Sequence, residues 1–245
     1  MKTLILCGGR GIRAHPHTLD MPKVLLDVGG RPVLRHLMEI YVRQGFTEFI
    51  LAAGFKCTLI EMFAEALPKS WNVEVVDTGL DTPTGARIEQ CLYWIDGTTF
   101  VTYGDGLADI DLHALLQFHE SHSGSVTVTS VPLPSPFGVL DLADDGRVRR
   151  FTEKPRLEDH WINAGFLVLD ELAIHGLWWR EDLEGETLPL MAEHGGGVYA
   201  YRHQGFWRSL DTWKDAMELD ALCEDGRRPP WRMPPRKSAP AAEAP

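Results

Sequence analysis

The chain has 245 residues, 44% hydrophobic and 24% charged, a balance that supports one sizeable buried core. Its net charge of −11 argues against a broad nucleic-acid-binding surface but leaves room for a small basic pocket. No stretch approaches the roughly 18 apolar residues of a membrane span, and the N-terminal apolar run is too short for a signal sequence.

The first predicted strand, Leu4–Cys7, empties directly into Gly8, Gly9 and Gly11, with Arg13 and Lys23 following. Glycines after a buried strand let the backbone approach a ligand and aim amide N–H groups at phosphate. Two cations beside such a loop can hold a polyphosphate as charge moves. Apolar residues at three- and four-residue spacing predict helices over Val33–Arg43, Thr58–Leu67 and Ala86–Ile95, alternating with strands at Phe49–Ala53, Val73–Val76 and Phe100–Tyr103. That alternation implies a parallel, doubly wound α/β sheet. Asp111 reads as the N-cap of a further helix ending near His122.

Beyond that helix, Ser125–Val131, Gly138–Leu142, Arg147–Phe151 and Ile162–Leu169 are strand-like, with Asp144-Asp145-Gly146 as a hairpin turn. A nucleotide-binding half, about 1–122, is therefore expected to join a more antiparallel half, about 123–226, within one domain. Asp211–Cys223 predicts a closing helix, and residues 227–245 form a Pro/Ala-rich tail whose end is expected to be disordered. Ligands of open α/β sheets sit beyond the carboxyl ends of the strands, which selects the loop after Cys7 and Gly104-Asp105-Gly106 after Tyr103. An aspartate there suits Mg²⁺, a hard ion that takes oxygen ligands. The four cysteines are widely spaced without a CxxC pair and read as reduced thiols of a cytoplasmic protein.

The segments LILCGGRGIR, PKVLLDVGGRPVLRHLMEIY, VVDTGLDTPTGARI, VTYGDGLADIDL, FTEKP, INAGFLVLD, GFWRSLDTWKDAMELDAL and PPW, in that order, resemble the sugar-phosphate nucleotidylyltransferases, and within them the glucose-1-phosphate cytidylyltransferase branch. The resemblance implies a Rossmann-like, GT-A-like mixed sheet with an antiparallel C-terminal sugar-binding portion. It also implies in-line attack of a sugar-1-phosphate on the α-phosphorus of a nucleoside triphosphate, CTP foremost, with loss of pyrophosphate. By position, Arg13 and Lys23 would stabilise the transferring and leaving phosphates, and Gly8, Gly9, Gly11 and Ile12 would line the triphosphate. Thr84, Gly85, Arg87 and Gly104 would lie near the nucleotide. Glu153, Lys154, Asn163 and Gly165 would serve the sugar phosphate, and Asp105 and Asp211 would bind Mg²⁺. Expected partners are the two substrates and a second copy of the chain, with no nucleic acid or membrane.

The chain departs from the family pattern in three places. Ile12 stands where the family has a threonine, Met21 replaces the first lysine of KPKPM, and the stretch from Phe63 to Val73 is short. Ile12 and Met21 motivate a second reading, a catalytically silent nucleotide-binding relative; another base or acceptor is a third. By residue type alone, Asp211 before a helix reads as an N-cap, Asn163 and Gly165 as a strand residue and a bulge glycine, and Phe206 and Trp207 as packing residues. A dinucleotide oxidoreductase is disfavoured because Gly8-Gly9-Arg10-Gly11 lacks GxGxxG spacing.

Overall fold

The computed structural model describes residues 1–11, 14, 18–176, 179–193, 197–224 and 228–232. The expectations placed on Ile12 and Arg13, and on the tail beyond residue 232, lie outside the described residues.

In chain order the strands are β1 (Lys2–Leu6), β2 (Asp27–Val28), β3 (Arg31–Pro32), β4 (Glu48–Ala53), β5 (Asn72–Asp77), β6 (Thr99–Tyr103), β7 (Gly106–Ala108), β8 (Val126–Pro134), β9 (Val139–Leu142), β10 (Val148–Thr152), β11 (Arg156–Leu169), β12 (Val198–Arg202) and β13 (Trp207–Ser209). The α-helices are α1 (Val33–Val42), α2 (Cys57–Glu65), α3 (Thr84–Cys91), α4 (Leu112–Glu120), α5 (Glu171–His175), α6 (Leu188–Glu193) and α7 (Trp213–Ala221). Seven strands form one sheet in the order β12-β8-β11-β6-β1-β4-β5. From β5 to β6 all neighbours are parallel, as strand–helix alternation predicts; β11 then runs antiparallel to both β6 and β8. The sheet is therefore mixed, parallel in its first half and antiparallel at β11.

Strand alternation sends successive side chains to opposite faces. Ile5, Phe49, Leu51, Phe100 and Phe166 join one buried cluster, while Leu4, Leu6, Ile50, Val101 and Leu167 join the other. The first cluster packs under α1, whose Leu34, Leu37, Met38 and Tyr41 are fully buried. The expected N-cap is in place at α4: the Asp111 carboxylate accepts the Ala114 N–H at 2.9 Å.

Differences from the sequence reading are local. The third helix is shorter than predicted, giving way at Cys91 to a 3₁₀ turn over Leu92–Trp94. β12 carries no sequence signal because it is an edge strand with mostly exposed side chains. The β9–β10 hairpin forms as predicted but stands outside the main sheet, with Leu140, Leu142, Val148 and Phe151 exposed. The beginning of the expected tail is docked: Trp231 is fully buried, and its indole N–H donates to His36 Nδ1 at 3.2 Å. Among the described residues no helix is long and apolar enough to cross a membrane.

Candidate active site

Parallel pairing of β1 with β4 and β6, and of β4 with β5, gathers the carboxyl ends of four strands along one edge. The loops that leave them carry Gly8, Gly54, Gly79 and Gly104. Gly104 donates its N–H to Leu6 O at 2.9 Å, and a Cβ there would lie 2.7 Å from Val24 Cγ1. Its lack of a side chain therefore seats the 3₁₀ turn Lys23–Leu25 against the strand ends.

From that turn the Lys23 ammonium reaches two carboxylates at once. It contacts Asp105 Oδ2 and lies 3.3 Å from Asp211 Oδ1. The carboxylates are 106 positions apart in sequence and are joined by a short antiparallel ladder. β7 pairs with β13, with Gly106 opposite Ser209, and Leu210 N–H donates to Asp105 O at 2.9 Å. The Lys23, Asp105 and Asp211 side chains are 14%, 22% and 30% exposed, so the cluster is sheltered yet open to a ligand.

Asp211 does not cap the closing helix. The cap is Thr212, whose side chain accepts Asp215 N–H while Asp215 Oδ2 accepts Thr212 N–H at 2.7 Å, a complete capping box. Asp211 is left facing Lys23, steadied by Ser209 Oγ donating to its Oδ2 at 3.0 Å and by its own N–H donating to Asp215 at 3.1 Å. The helix accordingly starts at Trp213 rather than at Asp211. Ser209 and Asp215 are supporting residues that the sequence reading missed; Thr212-x-x-Asp215 was the signal for the second.

The glycine loop leans on the same lysine. Gly11 has φ +62°, and a Cβ there would lie 2.6 Å from Lys23 Cβ. Thr18, also missed from sequence, donates its hydroxyl to Gly11 O at 2.9 Å and pins the far side of the loop. Gly9 is exposed with no atom within 4 Å of a would-be Cβ. Cys7 beneath the loop is buried, which pushes its thiol pKa up and leaves it protonated and inert.

Thr84, Gly85 and Arg87 are occupied within the protein. The Arg87 guanidinium, on a residue only 4% exposed, donates to Ala53 O, the Thr78 hydroxyl, Gly79 O and Thr82 O. Burial lowers its pKa, and these four partners offset that cost. It ties the loops after β4 and β5 together directly beneath Gly8. The Thr84 hydroxyl donates to Glu184 Oε2 at 3.0 Å, and Gly85 N–H donates to Glu181 O at 2.9 Å.

Asn163 and Gly165 lie on the β6–β13 side of the cluster. The β8–β11 register shifts between Asn163 and Leu167, a bulge in which Asn163 Oδ1 accepts Gly165 N–H at 2.8 Å. Trp207 Nε1–H, on β13, donates to Ala164 O at 2.8 Å, and Thr102, on β6, donates to Gly165 O at 2.9 Å. Phe206 and Trp207 are thus partly buried packing residues. Glu153 and Lys154 stand apart in the turn between β10 and β11. Lys154 is exposed with φ +47°, and its ammonium lies 3.8 Å from Glu153 Oε1.

Two carboxylates held around a cation, with hard oxygen donors only, fit a magnesium ion that keeps most of its waters. No group of three or more His, Cys, Asp or Glu that could hold a metal is found among the described residues.

Residues 2–226 match the family model described as nucleotidyl transferase. The chain is 35% identical over 257 residues to the glucose-1-phosphate cytidylyltransferase of Salmonella typhi, covering 95% of this chain and 99% of that protein. It is 37% identical to the probable glucose-1-phosphate cytidylyltransferase of Bacillus subtilis, covering 93% and 98%. In fold it is similar to HddC from Yersinia pseudotuberculosis, solved in complex with GMP-PN, with a TM-score of 0.69, 24% identity, and coverage of 90% and 98%.

Proposed function

Since the chain belongs to the nucleotidyl transferase family, we propose that it transfers a cytidylyl group from CTP to glucose 1-phosphate, releasing pyrophosphate and forming CDP-glucose. The observation that carries the reading is Lys23, its ammonium held between Asp105 and Asp211 and its stem packed against Gly11 of the glycine loop. A phosphate oxygen of the acceptor attacks the α-phosphorus of CTP. The bond from that phosphorus to the bridging oxygen breaks, and both electrons leave with pyrophosphate.

Such a step needs alignment and charge neutralisation rather than a protein nucleophile. Backbone N–H groups of the Gly8–Gly11 loop receive the triphosphate, and Lys23 stabilises charge on the transferring and leaving phosphates. Asp105 and Asp211 would hold Mg²⁺, which would neutralise phosphate oxygens when bound. The bulge at Asn163–Gly165 lines the acceptor side, backed by the Trp207 indole that donates to Ala164 O. Lys154, in the exposed turn between β10 and β11, is assigned to the acceptor phosphate through the FTEKP resemblance. The cytoplasm is the compartment this reading implies, and four free cysteines agree with it.

The test is pyrophosphate release with each nucleoside triphosphate against a panel of sugar 1-phosphates in the presence of Mg²⁺. CTP with glucose 1-phosphate should give the highest kcat/KM. Faster release with another pair reassigns base or acceptor, and no release with any pair refutes the transferase.

A further inference from the structure

Lys23 occupies the position in which a metal would be useful. Its ammonium touches Asp105 Oδ2, lies 3.3 Å from Asp211 Oδ1, and is carried on a side chain only 14% exposed. The backbones that carry these carboxylates are anchored, Asp105 O accepting Leu210 N–H and Asp211 N–H donating to Asp215, and the Asp211 carboxylate also accepts Ser209 Oγ. Without a cation between them, two such aspartates would repel each other. The stem of the same lysine supports the glycine loop, since only the missing Cβ of Gly11 lets the two approach. One side chain therefore pairs with the two carboxylates through its ammonium while its stem runs along the glycine loop.

We propose that Lys23 is an exchangeable counter-ion. In metal-free protein it holds Asp105 and Asp211 together; a divalent cation arriving at the carboxylates expels its ammonium toward the glycine loop, where it meets phosphate. The proposal rests on the metal-binding reading of Asp105 and Asp211 given above. It goes further by making metal and triphosphate binding mutually dependent. Metal alone binds weakly because it must displace an ion pair. A triphosphate gives the displaced ammonium new oxygen partners, so each ligand tightens the other by the same factor. A lysine suits this role better than an arginine, because a compact ammonium on a flexible stem changes partners without reorienting a planar fork.

The experiment uses Mn²⁺ as the probe and no nucleotide. Free Mn²⁺ is followed by electron paramagnetic resonance in wild-type protein and in Lys23→Met, with circular dichroism to check folding. Removing the competing charge should tighten Mn²⁺ binding on the order of tenfold, after allowing for solvent screening of the partly exposed site. A folded Lys23→Met protein that binds Mn²⁺ no more tightly, or not at all, overturns the exchange. A second measurement needs only native Lys23. Its acetylation by an amine-reactive ester, read on the peptide by mass spectrometry, should rise when Mn²⁺ saturates the protein. The rise should vanish in Asp105→Asn. Unchanged labelling in the wild type, or an equal rise in Asp105→Asn, also refutes the exchange. Neither readout requires turnover. Absent pyrophosphate release with exchange intact removes the proposed function but not the metal-for-lysine exchange. Turnover without exchange removes only the latter.

Discussion

Replacing Gly8 by alanine tests whether Arg87 is the brace beneath the glycine loop. A Cβ on Gly8 would lie 1.9 Å from Arg87 Nη1 and 2.2 Å from Cζ. Ordinary contact needs roughly 3.5 Å, so the guanidinium or the loop must move by about 1.5 Å. Nη1 donates to both Ala53 O and the Thr78 hydroxyl, and a movement of that size breaks both bonds. Hydrogen bonds to a charged group contribute about 1.5–3 kcal/mol each, which puts the cost of losing both near 3–6 kcal/mol. For a domain of this size that lowers Tm by roughly 10 °C. Gly9→Ala is the control, because nothing lies within 4 Å of its Cβ position and its melting temperature should stay near that of the parent. Melting followed by circular dichroism reads both, and the cycle is closed in an Arg87→Ala background, where Gly8→Ala should be nearly neutral. Arg87 is not the brace if Gly8→Ala costs no more than Gly9→Ala, or if its cost is the same with and without Arg87.

Trp231→Ala should destabilise by about 3–5 kcal/mol, since the ring is fully buried against His36 and Phe206; urea unfolding measures it. His36 should make the same docking pH-sensitive. Burial holds its pKa below 6.5, and protonating Nδ1 would set its N–H against the Trp231 N–H that it now accepts. A histidine with a depressed folded pKa contributes stability that is complete above about pH 6.5 and is lost as pH falls toward the folded value. The urea midpoint should therefore drop between pH 7.5 and 5.5, and an unchanged midpoint would contradict the geometry. Lys23→Ala should reduce kcat by about 10²-fold or more while retaining wild-type circular dichroism, and full turnover would remove Lys23 from the phosphate site.

Much of this architecture is written locally in the chain. The periods of two and 3.6 give β1, β4, β5 and β6 and the helices between them, because a half-buried strand or helix must repeat its apolar residues at the pitch of its own backbone. The same local record shows glycines after one strand and Asp105 after another, and the ends of parallel strands are where ligands of such sheets bind. The roles of more distant residues depend on partners that periodicity does not encode. Asp211 reads locally as a cap and is turned toward Lys23 only because Thr212 and Asp215 complete the cap and β13 pairs with β7. Arg87, which the family resemblance sets near the nucleotide, gives its hydrogen bonds to the loops after β4 and β5 that folding closes around it. The sequence alone thus determines not the edge strand β12 or the β7–β13 ladder, but the strands and helices of the parallel half and the strand-end edge that carries Gly8 and Asp105. Which charged groups meet there is decided by chain closure over about a hundred residues, since a carboxylate or guanidinium takes its role from the partner that folding brings within hydrogen-bond distance.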